Sequence, residues 1–400
     1  MRTDEIAGVM NSDAPYSEWM AEFEWGRLRR WPDTEADNLF ASDAADRLIL
    51  DTAASALGEV QPDEVVVVGD TYGALTLAAA DRMSGAAGGR IRVHQDALVS
   101  ERALAANAER LGLQSCYKAC DLDPELARGA RAVLLRLPKS LDELDEVAGM
   151  LAAHADPGVT VFAGGMQKHL TPAMNDVLAR HFSRVDVGLG RQKARVLTIT
   201  GPRPAPNTAA EWPRREFHAD IAPGLWVCAH GGAFAGTRID IGTRFLFEHL
   251  DEAVPAAGSA VDLACGTGSL ATALALRRPA VRVIASDQSA VAVASARATA
   301  EANGVGDWVE VRREDAGEGI PDGWADLVLL NPPFHNGAAL DLRVGRTLVA
   351  AAARILAPGG ELWTVYNSHL GYRSALRKLV GPTRQVDRNR KFTITASTRA

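Results

Sequence analysis

Short apolar runs alternate with longer mixed segments from about residue 65 onward, a pattern typical of an α/β fold. Val65 to Val68 predicts a buried strand, Gly69 to Gly73 a tight turn, and the segment from Ala74 a helix. Ile91 to Asp96 predicts a second strand that ends in an acid, followed by a helix to about Leu111. Two further strands of this first α/β unit are predicted at Ala132 to Leu135 and within Val159 to Gly165.

The second half repeats this order of strand, glycine turn, helix and acid-ended strand. Val261 to Leu263 predicts a strand before a turn that reaches Gly268, and Val281 to Asp287 predicts a strand that ends in a carboxylate. A helix from about Ser289 ends near Asn303 and Gly304, which suit a C-cap. Two later strands are predicted at Val309 to Val311 and at Leu327 to Leu330, the last ended by two prolines.

The two halves correspond at a constant spacing. Gly73 and Gly268 lie 195 positions apart, and so do Pro138 and Pro333. Two features at one offset predict a duplicated domain. The segment from Gly201 to Pro206 holds three prolines and predicts a linker. We therefore predict one domain over residues 1–205 and a second over residues 206–400.

The two copies differ where chemistry is expected. The first has Arg136-Leu137-Pro138-Lys139 at the position where the second has Asn331-Pro332-Pro333-Phe334. In the turn of the first copy, Tyr72 is expected to fill the space that a ligand would need. We therefore predict that the first domain is degenerate and binds no cofactor.

The overall composition, 47% hydrophobic and 23% charged, is that of a globular protein with a full core. No stretch approaches membrane-spanning length, and the N-terminus lacks the apolar run of a secretory signal, so we expect a cytoplasmic protein without membrane contact. The four cysteines are scattered, which predicts free thiols in a reducing compartment. No His/Cys partner pattern accompanies Cys116 and Cys120, so no metal site is predicted.

The net charge of −7 does not by itself indicate a nucleic-acid binder, but the charge is unevenly distributed. Residues 1–60 hold 13 acidic and 5 basic side chains. Residues 366–400 hold eight basic side chains and one acid, Asp387. This C-terminal stretch either forms a basic surface that contacts phosphates or a solvated face without a partner.

The turn from Asp262 to Gly268 carries glycines that let a ligand approach the backbone at the start of a helix. Asp287 ends the next strand, where a carboxylate can accept hydrogen bonds from ribose hydroxyls. This pattern fits NAD as well as S-adenosylmethionine. The missing third glycine and the Asp262 carboxylate, which suits a cationic amino acid, favour the sulfonium cofactor. Asp315 lies after the third strand and is either a contact for the adenine amino group or a solvated loop acid.

The end of the fourth strand offers groups that can hold a planar NH₂. The Asn331 side-chain oxygen and the Pro332 carbonyl can accept its two hydrogens, and Phe334 can stack on a flat ring. The ring-locked proline backbone holds the Pro332 carbonyl still, and His335 is expected to orient the loop by hydrogen bonding. Methyl transfer from an activated cofactor mainly requires in-line positioning, so no strong base is needed. The alternative interpretation is a turn that only ends the strand.

With these motifs the second half resembles a class I S-adenosylmethionine-dependent methyltransferase, and most of the chain is similar to bacterial ribosomal RNA guanine-N2 methyltransferases. The resemblance implies two tandem Rossmann-like domains, the first degenerate and the second catalytic with a mostly parallel seven-stranded sheet. This sequence departs from the family pattern at Ala264, where glycine is common. The likeness rests on Phe234 to Thr243, Asn331 to His335, Leu356 to Trp363, Asn367 to Tyr372, Lys391-Phe392, Leu137-Pro138-Lys139 and Lys168-His169.

The resemblance implies methyl transfer from S-adenosylmethionine to the N2 amine of a guanine in ribosomal RNA, free or within a ribosomal subunit. The first domain would then be a scaffold or position the RNA. Open alternatives are an adenine amino group, a protein glutamine amide, or a non-catalytic RNA-binding or ribosome-assembly protein. The oligomeric state is open, with a monomer preferred. The predicted cofactor residues are Asp262, Ala264, Cys265, Gly266, Gly268, Asp287, Gln288, Asp315, Ala316 and Asn331, and the predicted catalytic residues are Asn331, Pro332, Pro333, Phe334 and His335.

Overall fold

The computed structural model describes residues 23–85, 88–203, 211–333 and 338–400, apart from the side chains of residues 338–342. The chain divides into two compact units, Met1–Ala210 and Glu211–Ala400. Each unit contains its own seven-stranded sheet with helices packed on it. The predicted α/β class with two tandem domains is thus confirmed, whereas the roles assigned to the two domains stay predictions.

The sheet of the first unit has the strand order β3-β2-β1-β4-β5-β7-β6. Its strands are β1 Val65–Val68, β2 Ile91–His94, β3 Tyr117–Ala119, β4 Ala132–Arg136, β5 Thr160–Met166, β6 Phe182–Val187 and β7 Ala194–Pro202. The helices are α1 Ala44–Leu57, α2 Ala74–Arg82, α3 Leu98–Leu111, α4 Pro124–Ala127, α5 Leu141–His154 and α6 Pro172–His181.

The sheet of the second unit has the corresponding order β12-β11-β10-β13-β14-β16-β15, preceded in the chain by the two-stranded sheet of β8 and β9. The strands are β8 Arg214–His218, β9 Leu225–Ala229, β10 Ser259–Leu263, β11 Arg282–Asp287, β12 Val309–Arg313, β13 Ala325–Leu330, β14 Leu356–Asn367, β15 Thr383–Arg388 and β16 Phe392–Thr398. The helices are α7 Ile241–Glu248, α8 Ser269–Arg277, α9 Ala290–Ala302, α10 Ala338–Ile355 and α11 Arg373–Leu379.

The two sheets confirm the duplication that the constant spacing predicted. In each sheet the first five strands are parallel and the last two pair antiparallel. Gly73 and Gly268 occupy the same place, since each is the left-handed N-cap of the helix after the first strand, with φ of 86° and 68°. The linker starts later than predicted, because β7 continues through Pro202 by pairing with β6, and residues 204–206 lie outside the described part.

The core of the second unit lies on both faces of its sheet. All five residues of β10 are buried, as expected for a parallel strand covered by helices on either side. Successive residues contribute to different cores: Ala260 packs with Leu327 on one face, and Val261 packs with Val328 on the other. Among the described helices, none combines the length and apolar character that a membrane span requires. The four cysteines are free thiols, and the first two are only partly buried.

Candidate active site

The predicted cofactor and acceptor residues follow four neighbouring strands of the second sheet. The turn after β10 lies between Asp287 at the end of β11 and Asn331 directly after β13. The register aligns Leu263 with both Ser286 and Leu330. Between β10 and β13 the strand order changes direction, and ligands of open α/β sheets bind at the carboxyl ends of strands at such a point. The sheet therefore brings the motifs of the sequence to one edge.

The glycine turn combines an open face with a closely packed one. Around a Cβ placed on Gly266 no atom lies within 4 Å, so the backbone is accessible there. A Cβ on Gly268 would lie 2.7 Å from the Ala296 Cβ in α9, so glycine is required for helix packing. Ala264 has φ of 58°, in the left-handed region that favours glycine. This angle explains why a glycine suits that position, and it leaves Ala264 strained.

Two carboxylates line this turn from below and from the side. Asp262 is buried, and its Oδ2 accepts a hydrogen bond from Ala271 N over 3.0 Å. Burial raises the pKa of Asp262 to about 7, against that hydrogen bond and together with the charge of Asp287. Asp287 accepts hydrogen bonds from Gly266 N and Ser289 N, each over 3.0 Å. Asp287, and Asp262 above about pH 7, give this turn the negative charge that suits a cation.

The remaining predicted cofactor residues also lie at these strand ends. Gln288 follows Asp287, and its buried Oε1 has no hydrogen-bond partner in the part of the chain that the structure describes. Asp315 follows β12, and the adjacent Ala316 has φ of 49°. Cys265 contributes backbone to the turn, while its thiol is buried in the core, and burial raises the pKa of that thiol. An orphaned buried oxygen, an open backbone and two carboxylates fit a nucleoside with a cationic group.

A clamp of two side chains holds the amide of Asn331. Its Nδ2 donates to Asp240 Oδ2 over 3.2 Å and to Thr243 Oγ1 over 3.0 Å. Because a carboxylate only accepts hydrogen bonds, the contact with Asp240 fixes which end of the amide is nitrogen. The amide oxygen of Asn331 remains available as an acceptor. Gly242 leaves room for this arrangement, since a Cβ there would lie 3.4 Å from Asn331 Oδ1 and 3.0 Å from Asp240 Oδ2.

The two clamp residues come from the N-terminus of α7. Asp240 is the N-cap of this helix and also accepts from Gly242 N over 2.9 Å. Thr243 lies three positions later and is buried. Neither was predicted as a site residue, although the spacing of an N-cap acid and a hydroxyl three residues on was visible in the sequence. The contact of Asp240 and Thr243 with Asn331 was not visible in the sequence, because these residues lie far apart in the chain.

The other predicted catalytic residues are described only in part. Pro332 is buried and Pro333 is exposed. Phe334 and His335 lie outside the described residues, so their predicted stacking and orienting roles stay predictions. Within the described ranges, no group of three or more His, Cys, Asp or Glu side chains is placed to hold a metal ion.

The first unit contains the same clamp with a different occupant. Arg136, at the position of Asn331, donates to Asp43 Oδ1 over 2.8 Å and to Asp46 Oδ1 over 2.7 Å. These acids are the N-cap and the third residue of α1. Burial raises the pKa of Asp46 to about 7 against the charge of Arg136, whereas Arg136 outweighs burial and keeps the pKa of Asp43 below its usual range. The clamp thus holds a cation here and an amide in the second unit.

The cavity at this place in the first unit is small. Its volume is about 150 Å³, and Tyr72, Asp70 and Arg136 line it. Small-molecule sites usually have volumes of roughly 300–1,000 Å³. The Tyr72 hydroxyl donates to Asp33, and the Arg30 guanidinium lies 4.6 Å from the centre of the Tyr72 ring. The predicted filling role of Tyr72 stays a prediction.

The fold and the site define the second unit as a methyltransferase domain. Residues 224–396 match the family model described as Methyltransferase small domain, and residues 17–203 match that described as RLMG N-terminal domain. Proteins described as ribosomal RNA large subunit methyltransferase G are 37% identical in Streptomyces coelicolor and 35% in Streptomyces avermitilis. The alignments cover 92% of this chain in both cases, and 97% and 96% of those proteins. The chain belongs to the ribosomal RNA large subunit methyltransferase G family, which confirms the resemblance seen in the sequence.

The fold is also similar to a solved structure, described as the T. thermophilus 16S rRNA N2 G1207 methyltransferase in complex with AdoMet and guanosine. The TM-score is 0.70 at 22% identity, and the match covers 92% of this chain and 97% of that chain. At this identity the match shows the shared two-domain fold.

Proposed function

We propose that this protein transfers the methyl group of S-adenosylmethionine to the N2 amine of a guanine in the RNA of the large ribosomal subunit. The names of its relatives support the substrate, and the similar solved structure, an N2 methyltransferase with guanosine bound, supports the guanine amine. A ribosomal substrate implies that the protein works in the cytoplasm. The observation that carries the proposal is the clamp of Asp240 and Thr243, which leaves the Asn331 oxygen as an acceptor at the edge where the cofactor residues lie.

The cofactor residues would each contribute a different contact. When bound, S-adenosylmethionine supplies a methyl group activated by a sulfonium sulfur. Asp287 and Gln288 would hold the ribose and the base, and the Asp262 carboxylate lies behind the turn as a counter-charge to the amino acid part. Gly266 leaves its backbone accessible, which a close contact requires. Asp315 and Ala316 would complete the adenine side of the site.

Asn331 and Pro332 would act on the acceptor. The Asn331 oxygen and the Pro332 carbonyl accept the two hydrogens of the exocyclic amine, which raises the electron density on its nitrogen and directs the lone pair. Asp240 and Thr243 act through Asn331 and are positioning residues. Fixing the acceptor nitrogen in line with the methyl group is the main requirement of this reaction. The first unit, whose clamp holds Arg136, is proposed as a scaffold or RNA-positioning domain.

The test is methyl transfer by purified protein to large-subunit RNA and to assembled subunits, followed by mass spectrometry of the digested nucleosides. We expect N2-methylguanosine, and we expect Asn331→Ala to abolish its formation while the Kd for S-adenosylmethionine stays near wild type. The exposed Asn38→Ala variant is the control for loss of an asparagine side chain. Methylation of adenine or of protein instead of guanine would refute the proposed acceptor. Absence of S-adenosylmethionine binding to the wild type would instead favour a non-catalytic RNA-binding protein.

A further inference from the structure

Six exposed cations lie close together in sequence at the C-terminal end of the second unit. We call Arg373, Arg377, Lys378, Arg388, Arg390 and Lys391 the basic surface. The first three belong to α11, and the others to the end of β15 and the turn that leads into β16. The structure therefore gives the basic stretch of the sequence an exposed location on two adjoining elements.

The sheet topology places the turn of this surface at the same edge as Asn331. The strand next to β13 is the parallel strand β14, and its last residue, Asn367, pairs with Phe392 at the start of the antiparallel β16. The turn between Arg388 and Phe392 consequently lies beyond the carboxyl ends of β13 and β14. Neighbouring strands are about 4.8 Å apart, so β15 lies roughly 14 Å across the sheet from β13. The turn with Arg388, Arg390 and Lys391 continues the acceptor edge sideways, whereas α11 runs from this edge toward the opposite end of the sheet, where Gly381 lies against Thr398.

The turn is held in place by its own hydrogen bonds. Asn389 Oδ1 accepts from Lys391 N over 2.9 Å and from Phe392 N over 2.7 Å. Ser368 N, which follows β14, donates to the carbonyl of Lys391 over 2.9 Å. The Lys391 ammonium lies 5.2 Å from the centre of the Phe392 ring. The cations are thus presented from a fixed backbone.

The positive charge of this surface is not neutralised within the described ranges of the chain, where no carboxylate oxygen forms an ion pair with any of its six cations. Asp387, the acid next to Arg388 in the chain, instead contacts His249 over 3.0 Å. Burial raises the pKa of the Tyr366 phenol in β14, and the charges of Arg373 and Arg388 are among the causes that oppose that rise.

We propose that the basic surface binds the phosphate backbone of the RNA strand that carries the target nucleotide. Contacts to phosphates fix the register of a nucleic acid without reading its sequence, and here they would set which nucleotide reaches Asn331. The occupant that fits is a polyanion, because the exposed cations of the fixed turn form no ion pair with a carboxylate in the part of the chain that the structure describes, and they repel other cations. This inference rests on the proposed function, since the target is taken to be RNA.

The test is the double variant Arg388→Ala/Arg390→Ala. Lys391 is left intact because its ammonium contacts the Phe392 ring beside Gly242. The matched control is Arg282→Ala/Arg297→Ala, which removes the same charge from two exposed positions, one at the opposite end of the sheet and one on α9. Binding of a fluorescein-labelled large-subunit RNA transcript is measured by anisotropy from 50 to 200 mM salt. Methyl transfer and the Kd for S-adenosylmethionine are measured separately.

We expect the double variant to weaken RNA binding roughly tenfold and to lower the slope of log affinity against log salt by roughly 1.4 to 1.8, the value for two lost phosphate contacts. The control variant should bind as wild type does, and the Kd for S-adenosylmethionine should not change. Wild-type affinity and salt slope in the double variant would overturn the inference, as would weakened binding to assembled subunits alone, which indicates a protein contact. A wild type that binds RNA but forms no N2-methylguanosine would refute the proposed function and leave the binding result valid.

Discussion

The Nδ2 of Asn331 lies 3.2 Å from Oδ2 of Asp240, a contact that joins residues 91 positions apart. It determines the orientation of the amide on which the proposed chemistry depends. In an amide that can rotate by half a turn, the nitrogen would face the acceptor amine and repel its hydrogens. The carboxylate of Asp240 prevents this because it offers no donor.

Replacing Asp240 should therefore reduce turnover more than binding. We expect Asp240→Ala to lower kcat by roughly 10- to 100-fold, the loss typical of a misplaced reacting group, with the Kd for S-adenosylmethionine near wild type. The kcat of Asp240→Asn should lie between those of the wild type and Asp240→Ala. Asparagine caps α7 as well as aspartate does, but it lets the Asn331 amide turn. The control is Asp220→Asn. Asp220 is an exposed acid that precedes α7 in the chain and pairs with Arg244 of that helix. If Asp240→Asn loses melting temperature and activity in parallel, the role is structural instead.

The raised pKa of Asp262 predicts a pH-dependent affinity for the cofactor. In the free protein this carboxyl titrates at about 7, whereas a bound cationic amino group would hold it ionised. We expect the Kd for S-adenosylmethionine, measured by calorimetry, to rise as the pH falls from 7.5 to 5.5, approaching roughly tenfold per unit below about pH 7. Asp262→Asn should bind more weakly and lack this dependence. An equally steep rise in that variant would assign the titration to another group.

The same carboxyl affects the stability of the free protein in the opposite direction. Between about pH 4 and pH 7 the folded state keeps a proton that the unfolded state has released, so the free energy of unfolding falls as the pH rises through this window. Denaturant titrations at pH 5 and pH 7 should show this fall in the wild type and a smaller one in Asp262→Asn. The contribution of Asp262 is the difference in free energy of unfolding between the wild type and Asp262→Asn. A rise of this difference from pH 5 to pH 7 would contradict burial as the cause.

Ala264 predicts a stabilising substitution. A left-handed conformation costs a non-glycine residue about 1–2 kcal/mol, and glycine loses about 0.5–1 kcal/mol through its more disordered unfolded state. We expect Ala264→Gly to raise the free energy of unfolding by on the order of 1 kcal/mol in urea titrations. Ala298→Gly, in the helix α9, should lower it by about the same amount. Destabilisation by both substitutions would mean that the Ala264 methyl group has a packing role.

The ion pairs of Arg136 predict a structural role for the clamp in the first unit. Arg136→Met leaves Asp43 and Asp46 without their cation. Removal of one member of a partly buried ion pair should lower the free energy of unfolding by on the order of 3 kcal/mol. This value is at the lower end for buried pairs because the Arg136 side chain is about a quarter exposed. The loss should be larger at pH 8 than at pH 6, because protonation of Asp46 relieves it. Arg131→Met, which breaks an exposed pair with Glu64, is the control. A folded Arg136→Met protein should still transfer methyl groups, and loss of that activity would implicate the first unit in chemistry.

Much of the fold followed from local patterns. The run Val65 to Val68 and the run Leu327 to Leu330 are apolar on both faces, which only a covered parallel strand requires, and both are strands. The spacing of Gly73 and Gly268 predicted the duplication, because a left-handed N-cap that packs against the next helix tolerates no side chain. The limits of the elements did not all follow from local patterns: pairing with β6 extended β7 through Pro202, where the sequence predicted a linker.

The sequence by itself determined which side chains end each strand, because the alternation of apolar and polar positions is written along the chain. It therefore predicted Asp287, the glycine turn and Asn331 as one edge of a sheet. Only the tertiary structure decided that residues at the N-terminus of α7 form hydrogen bonds with Asn331. The same holds for Asp43 and Asp46, which form hydrogen bonds with Arg136 in the other copy. The reason is that a helix terminus directs its capping side chains toward whatever packing places beside it, and no local pattern records that neighbour.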